Sequence, residues 1–366
     1  MENVLNQLKI KGVSCSLVGQ VDTLDDENTN TDLIFSDNNG EVILEISSGH
    51  IKTKNFDSSN IVPTRDIEKI IHNPKCDIRK SDLRILDIGN SFSGVATGNY
   101  GDGDDYLEEM INAAGIDVSN IAYCKLGMSG GSYKDWYDTY HDLNTKTYNF
   151  STTFGTLSVV TPTGSTANGE KFRNTLTVNK WDIIIIHQKS LYSNDFESWL
   201  TNEDGGYLKE FIRILKTLQP QAEIATYIVH SAPRDNANTD ERWNEIAIST
   251  QKMAKMYDID KIIPYGTAVQ NVRNSSANPT HSTLTSDSVH VNKGIGQYAA
   301  AACTFESIIA SRYGISIYGN IFRTSEEATS YIIPVTNDNA KIVQMCAIDA
   351  VNDMYNLEHV DSTSDL

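Results

Sequence analysis

Polar positions crowd the first 80 residues and leave only short alternating segments between them. Glu41 to Ile46 reads EVILEI, and Ser36 to Gly40 (SDNNG) gathers turn formers. Short runs of this kind bounded by Asp, Asn and Gly predict β-strands joined by tight turns, so residues 1–80 are expected to form a small β-rich module or stalk. From Leu83 the pattern changes. LRILDIG (Leu83 to Gly89), NIAYCKL (Asn120 to Leu126), WDIIIIHQ (Trp181 to Gln188), EIATYIVH (Glu223 to His230) and DKIIP (Asp260 to Pro264) read as strands. The third is apolar on both faces, as the middle of a parallel sheet requires. Between them, YLEEMINAAG (Tyr106 to Gly115), YLKEFIRILKTL (Tyr207 to Leu218) and the stretch from about Glu241 to Tyr257 read as helices, the first with its apolar residues spaced for one face before it ends at Gly. A further helix begins near Gly294 and runs through YAAAACTFESIIA to Ala310, and a Thr- and Gly-rich stretch before Trp181 reads as a hairpin-like insertion.

Repeated strand–helix alternation implies right-handed crossovers with helices on both faces of one sheet. The fold class is therefore α/β: a three-layer α/β/α sandwich with a mostly parallel, flavodoxin-like sheet over residues 81–366. A C-terminal extension carries a helix over Asn339 to Tyr355 and a polar tail, EHVDSTSDL, expected to be mobile. In such sheets the site lies outside the carboxyl ends of the strands, and the chemistry is sought there.

Composition narrows the partners. The 366 residues exceed one typical core, so a large domain with a smaller appendage is expected. A formal charge of −18 opposes a nucleic acid or an anionic membrane as partner, while neutral glycans remain compatible. Five scattered cysteines without a C-x-x-C pair argue against a disulfide scaffold or a zinc site. The opening MENVLNQLKIKG lacks an apolar signal core, and runs such as Ile183 to Ile186 are far shorter than the ~20 residues of a membrane span. The expected setting is the cytoplasm or a phage particle.

At the end of the first α/β strand stands GNSFS, Gly89 to Ser93. Alone, Ser91 there is an ordinary helix cap. Far downstream, SDSVHVNKGIGQY places Asp287 and His290 three residues apart just before a helix. That spacing lets a carboxylate take the Nδ1 proton of the imidazole, leaving Nε2 free to activate a serine hydroxyl. His281 beside Asp287 and His290 suggests a metal cluster only weakly, because two of the three have better roles. GDGDD (Gly101 to Asp105) lacks the closing Glu of a calcium loop and reads as a turn and helix cap. Arg273, in IPYGTAVQNVR, is read either as a ligand for a substrate carboxylate or hydroxyl or as a loop tie, and His187 as a strand-end hydrogen-bonding residue or a substrate contact.

Together the motifs resemble the SGNH, or GDSL-like, hydrolase superfamily over roughly Leu83 to Tyr313. They include SGGSYKDW (Ser129 to Trp136), WDIIIIHQKS (Trp181 to Ser190) and DSVHVNKGIGQYAAAACTFE (Asp287 to Glu306). The resemblance implies Ser91 as nucleophile, Asp287 and His290 as its base pair, and an oxyanion hole from the amides of Ser91 and Gly130, with Gly131 as the fallback. Where many members of that superfamily carry Gly-x-Asn-Asp, this chain has His187-Gln188-Lys189-Ser190, so Gln188 is expected to supply the third donor. The implied activity is a serine esterase removing small acyl groups, with acetylated carbohydrate as substrate and no cofactor or metal. The rival reading is a glycan-binding module of a phage tail or surface protein. NNGEVILEISSGHIKTKNFDS (Asn38 to Ser58) resembles segments preceding receptor-binding or enzymatic domains in phage tail proteins, and a third reading has residues 1–80 assemble the chain into a homo-oligomer.

Overall fold

In the computed structural model the alternating segments of the N-terminal stretch are short strands. β1 (Gln7–Ile10) pairs antiparallel with β2 (Val13–Ser16), and β3 (Leu33–Ser36), β4 (Val42–Ser47) and β5 (His50–Thr53) form an antiparallel sheet. These strands belong to a compact unit, Met1–Asp77, and every other element belongs to a second, Ile78–Leu366. The structure describes residues 82–100, 105–189, 192–196 and 206–357, together with the backbone of those five strands. Residues 101–104, read above as a turn, residues 358–366, read as a mobile tail, and the parts of 38–58 outside β4 and β5 lie outside the described residues.

The second unit is built on six strands: β6 (Leu83–Gly89), β7 (Ile121–Gly127), β8 (Asn149–Phe154), β9 (Ile183–Ile186), β10 (Glu223–Tyr227) and β11 (Lys261–Ile263). Their spatial order is β11-β10-β9-β6-β7-β8. All neighbours run parallel except β8, which pairs antiparallel with β7 at the edge. The run Ile183 to Ile186 is buried at every position because β9 lies inside the sheet with side chains on both of its faces.

Alternation along β6 separates two cores. Leu83 and Ile85 join one apolar cluster, and Leu86 and Ile88 the other. On the first face lie α1 (Ser91–Thr97), α2 (Tyr106–Ala113), α7 (Tyr265–Asn274), α8 (Ile295–Thr304) and α9 (Ala340–Asn352); on the second lie α3 (Tyr133–Tyr140), α4 (Glu170–Val178) and α5 (Gly206–Leu218). The long helix α6 (Thr239–Met256) contributes Trp243 and Ile246 to the first cluster and Met253 to the second. This is the expected three-layer α/β/α sandwich. The stretch read as a hairpin-like insertion holds the edge strand β8 and two helices, α3 starting from a capping box of Ser132 and Asp135.

The connectivity fixes where a crevice opens. After β6 the chain turns to the helices of the first face, and after β9, the neighbouring strand, it proceeds to α5 on the second. The loops leaving these two strands diverge, which makes their carboxyl ends the switch point of the sheet. Ser91 follows one strand and Gln188 the other. Among the described residues, no helix is long and apolar enough to cross a membrane.

Candidate active site

Ser91 is the first residue of α1, so its N–H has no carbonyl four residues back to bond. Asn90 caps the helix. Its Oδ1 accepts the Phe92 N–H at 3.0 Å, and its Nδ2 donates to the Gly131 carbonyl at 2.9 Å and the Gln188 carbonyl at 3.5 Å. One buried amide thus ties together the loops that follow β6, β7 and β9.

The Ser91 hydroxyl lies 2.8 Å from His290 Nε2, and His290 Nδ1 lies 2.6 Å from Asp287 Oδ2. Because the carboxylate can only accept, the neutral ring carries its proton on Nδ1 and turns the Nε2 lone pair to the hydroxyl. The other Asp287 oxygen accepts the N–H groups of Val289 (2.9 Å) and His290 (2.7 Å). Burial alone would push the Asp287 carboxyl up, but these bonds together with His290 outweigh it and hold the group below the usual carboxylate range.

Several contacts hold this loop in place. Ser288 takes a left-handed conformation, φ 60°, and its carbonyl accepts the Arg234 N–H at 2.9 Å. The Val289 carbonyl accepts from His230 Nε2 at 2.8 Å. The His290 ring stacks on Tyr100 with centroids 4.0 Å apart and meets the edge of Phe92 at 5.7 Å. Burial first, and then the nearby Arg273 charge, push His230 down to about 3, so it is an uncharged donor at any working pH. Arg273 is itself buried on α7. It donates to the carbonyls of Ser231 (3.0 Å) and Thr283 (3.1 Å) and to Gln270 Oε1 (2.9 Å), so of its two sequence readings the loop tie is the one seen. Nothing in the sequence marked His230 or Tyr100, whose partners are set by tertiary contact alone.

Three donors at the carboxyl ends of the strands are unspent among the described residues. Besides the Ser91 amide there is Gly130, at φ 58°, whose N–H has no carbonyl partner among the described residues. The neighbouring Gly131 N–H is committed to the Met128 carbonyl at 2.9 Å. Gln188 is buried; its Oε1 accepts from Lys189 N (2.9 Å) and Tyr133 N (3.4 Å), while its Nε2 is buried without a partner among the described residues. An unpaired buried donor at a strand end is costly unless a ligand oxygen meets it.

Beneath the site lies a second polar cluster. Ser93 Oγ donates to Asp87 Oδ1 (2.8 Å) and sits 2.9 Å from His187 Nε2, and the hydroxyls of Tyr123 and Tyr227 donate to Asp87 Oδ2 at 2.9 and 3.1 Å. All five side chains are buried. Burial alone would raise the Asp87 carboxyl, yet the bond and charge of His187, with Lys125 and Ser93, hold it low. The cluster is closed to solvent and serves as a foundation: a Cβ on Gly89 would fall 1.7 Å from His187 Nε2, so only glycine lets β6 pass this ring.

A family model described as "Domain of unknown function (DUF4886)" matches residues 84–331. None of the curated proteins matches the chain. Among solved structures, a DUF4886 family protein from Bacteroides uniformis is 20% identical, with a TM-score of 0.57 over 78% of this chain and 99% of that one, a likeness of fold. A member of the lipolytic protein G-D-S-L family from Veillonella parvula is 15% identical (TM-score 0.37; 62% of this chain, 98% of that). A catalytic mutant of an acetylxylan esterase from Geobacillus stearothermophilus is 13% identical (TM-score 0.38; 64% and 95%).

Proposed function

The chain belongs to the DUF4886 family, and from the geometry of its site we propose that it is a serine esterase that removes small acyl groups, with carbohydrate O-acetyl esters as its substrates. One observation carries the reading: the unbroken relay from Asp287 through His290 to the Ser91 hydroxyl, at 2.6 and 2.8 Å, assembled from distant parts of the sequence.

In this mechanism Ser91 Oγ attacks the ester carbonyl while His290 Nε2 takes its proton, and Asp287 stabilises the imidazolium. The carbonyl oxygen, now an oxyanion, accepts from the amides of Ser91 and Gly130 and from Gln188 Nε2. As the tetrahedral intermediate collapses, the C–O bond to the alcohol breaks and the leaving oxygen takes the proton from His290. Water, deprotonated by His290, then hydrolyses the acyl-enzyme and releases the acid. Carbohydrate as the alcohol part is supported by the SGNH-like motifs and by polar side chains around His290, among them Tyr100, Ser286 and Asn292.

Acetate release from a panel of acetylated polysaccharides, with p-nitrophenyl acetate as a simple substrate, tests the reading. Wild type is expected to hydrolyse both p-nitrophenyl acetate and at least one acetylated glycan, and Ser91→Ala neither. A wild type no faster than Ser91→Ala that still binds an acetylated glycan would instead identify a binding module.

A further inference from the structure

Beside the His290 imidazole the surface opens into a cavity of about 300 Å³ walled by Tyr100, Asp287, His290, Lys293, Glu326 and Ile332. Glu326 and Ile332 come from the segment that follows the helices ending near Tyr313, and this segment is anchored rather than loose. The Ile333 carbonyl accepts the Ile295 N–H at 2.8 Å, Val335 N–H donates to Thr324 Oγ1 at 2.8 Å, and the Tyr106 hydroxyl donates to Glu326 Oε1. Lys293 Nζ is held 4.9 Å over the Tyr106 ring.

The chemistry of ester cleavage assigns a side to each part of the substrate. The oxyanion must face the unspent donors of Ser91, Gly130 and Gln188, whereas the leaving oxygen must reach His290 Nε2 for its proton. His290 lines the cavity, whereas Ser91, Gly130 and Gln188 do not, so the cavity lies on the side of the proton donor and away from the oxyanion donors. We infer that it is the subsite for the alcohol portion of the ester and that it takes a neutral, hydroxyl-bearing ring. This rests on the esterase reading above and deepens it.

The wall composition selects the class. Tyr100 and Ile332 offer apolar surface to the C–H face of a ring, while Lys293 and Glu326 offer hydrogen-bonding groups beside it. A hydrocarbon alcohol would take water from the Lys293 ammonium and the Glu326 carboxylate and return no hydrogen bond to either. An anionic alcohol would meet two carboxylates, Asp287 and Glu326, against one lysine, on a chain of formal charge −18.

The test is kcat/KM for three acetate esters, those of methyl glucoside, methyl glucuronoside and ethanol, on wild type, Ile332→Trp and Glu326→Gln. Wild type is expected to favour the glucoside over the glucuronoside by roughly tenfold or more, and Ile332→Trp, which fills the cavity, to lower the glucoside-to-ethyl-acetate ratio by roughly tenfold. Glu326→Gln should narrow the glucoside-to-glucuronoside gap, and it gives an independent reading if the tryptophan variant fails to fold. Equal losses on all esters in Ile332→Trp, or no preference between the two sugars in wild type, would overturn the subsite while leaving the esterase intact. A wild type that cleaves not even ethyl acetate faster than Ser91→Ala would overturn both.

Discussion

Gln188 divides its side chain between two tasks. The carbonyl end is fixed by the N–H groups of Lys189 and Tyr133, which aims the amide nitrogen, and that nitrogen is buried with nothing to bond among the described residues. Gln188→Ala should therefore fold and lose about 10² to 10³ in kcat, as loss of one oxyanion donor does; a folded variant turning over at the wild-type rate would remove it from the site. His230 is a positioning residue, acting on His290 through the Val289 carbonyl. His230→Ala is expected to lower kcat by ~10 to 10²-fold, because a small displacement of the base is enough to do so, while KM holds. A rise in KM at constant kcat would speak against that role. Ser91, Asp287 and His290 were legible in the sequence because each belongs to a short motif with its own chemistry. The sequence pattern preferred Gly130 and left Gly131 as a fallback, and the Met128 carbonyl, which occupies the Gly131 N–H, favours the same order. Tyr100 and His230 lie far from the final motif in sequence and reach it only through the fold.

Among the elements, the strands were the most legible, since runs such as IIII in β9 can be buried on both faces only inside a sheet. Helix α3 was hidden by its composition, YKDWYDTY, in which a buried Tyr133 and Trp136 are the only strong apolar anchors. Helix α7 was not foreseen as an element; all residues from Tyr265 to Arg273 are buried, so it packs within the core and steadies loops through Arg273. At α2 the cap Asp105 was expected, and its Oδ1 does accept the N–H groups of Leu107 and Glu108. Burial nonetheless pushes its carboxyl up to about 7. A folded-state value above the unfolded one means that the folded chain binds this proton more tightly. The stability linked to it is full below the unfolded value of 3.8 and is lost as pH rises toward about 7. Asp105→Asn keeps a good cap without the charge. Its Tm should exceed that of wild type at about pH 8 and converge with it toward about pH 4; an offset independent of pH would show that the charge is not the cause.

For the whole molecule, the order β11-β10-β9-β6-β7-β8 sends the loops after β6 and β9 to opposite faces, and the candidate site occupies the gap they leave. Asn90, bonded across three loops, and the buried Asp87 cluster below it make that gap rigid before any substrate arrives. Preorganised donors of this kind are what acyl transfer requires. The central claim is that Ser91 is the one hydroxyl made nucleophilic by the relay. Intact-mass and peptide analysis after treatment with a fluorophosphonate probe tests it most directly. One adduct per chain on Ser91, lost in Ser91→Ala and much slower to form in His290→Ala, is the predicted result. An unmodified wild type, or an adduct on another residue, would contradict it.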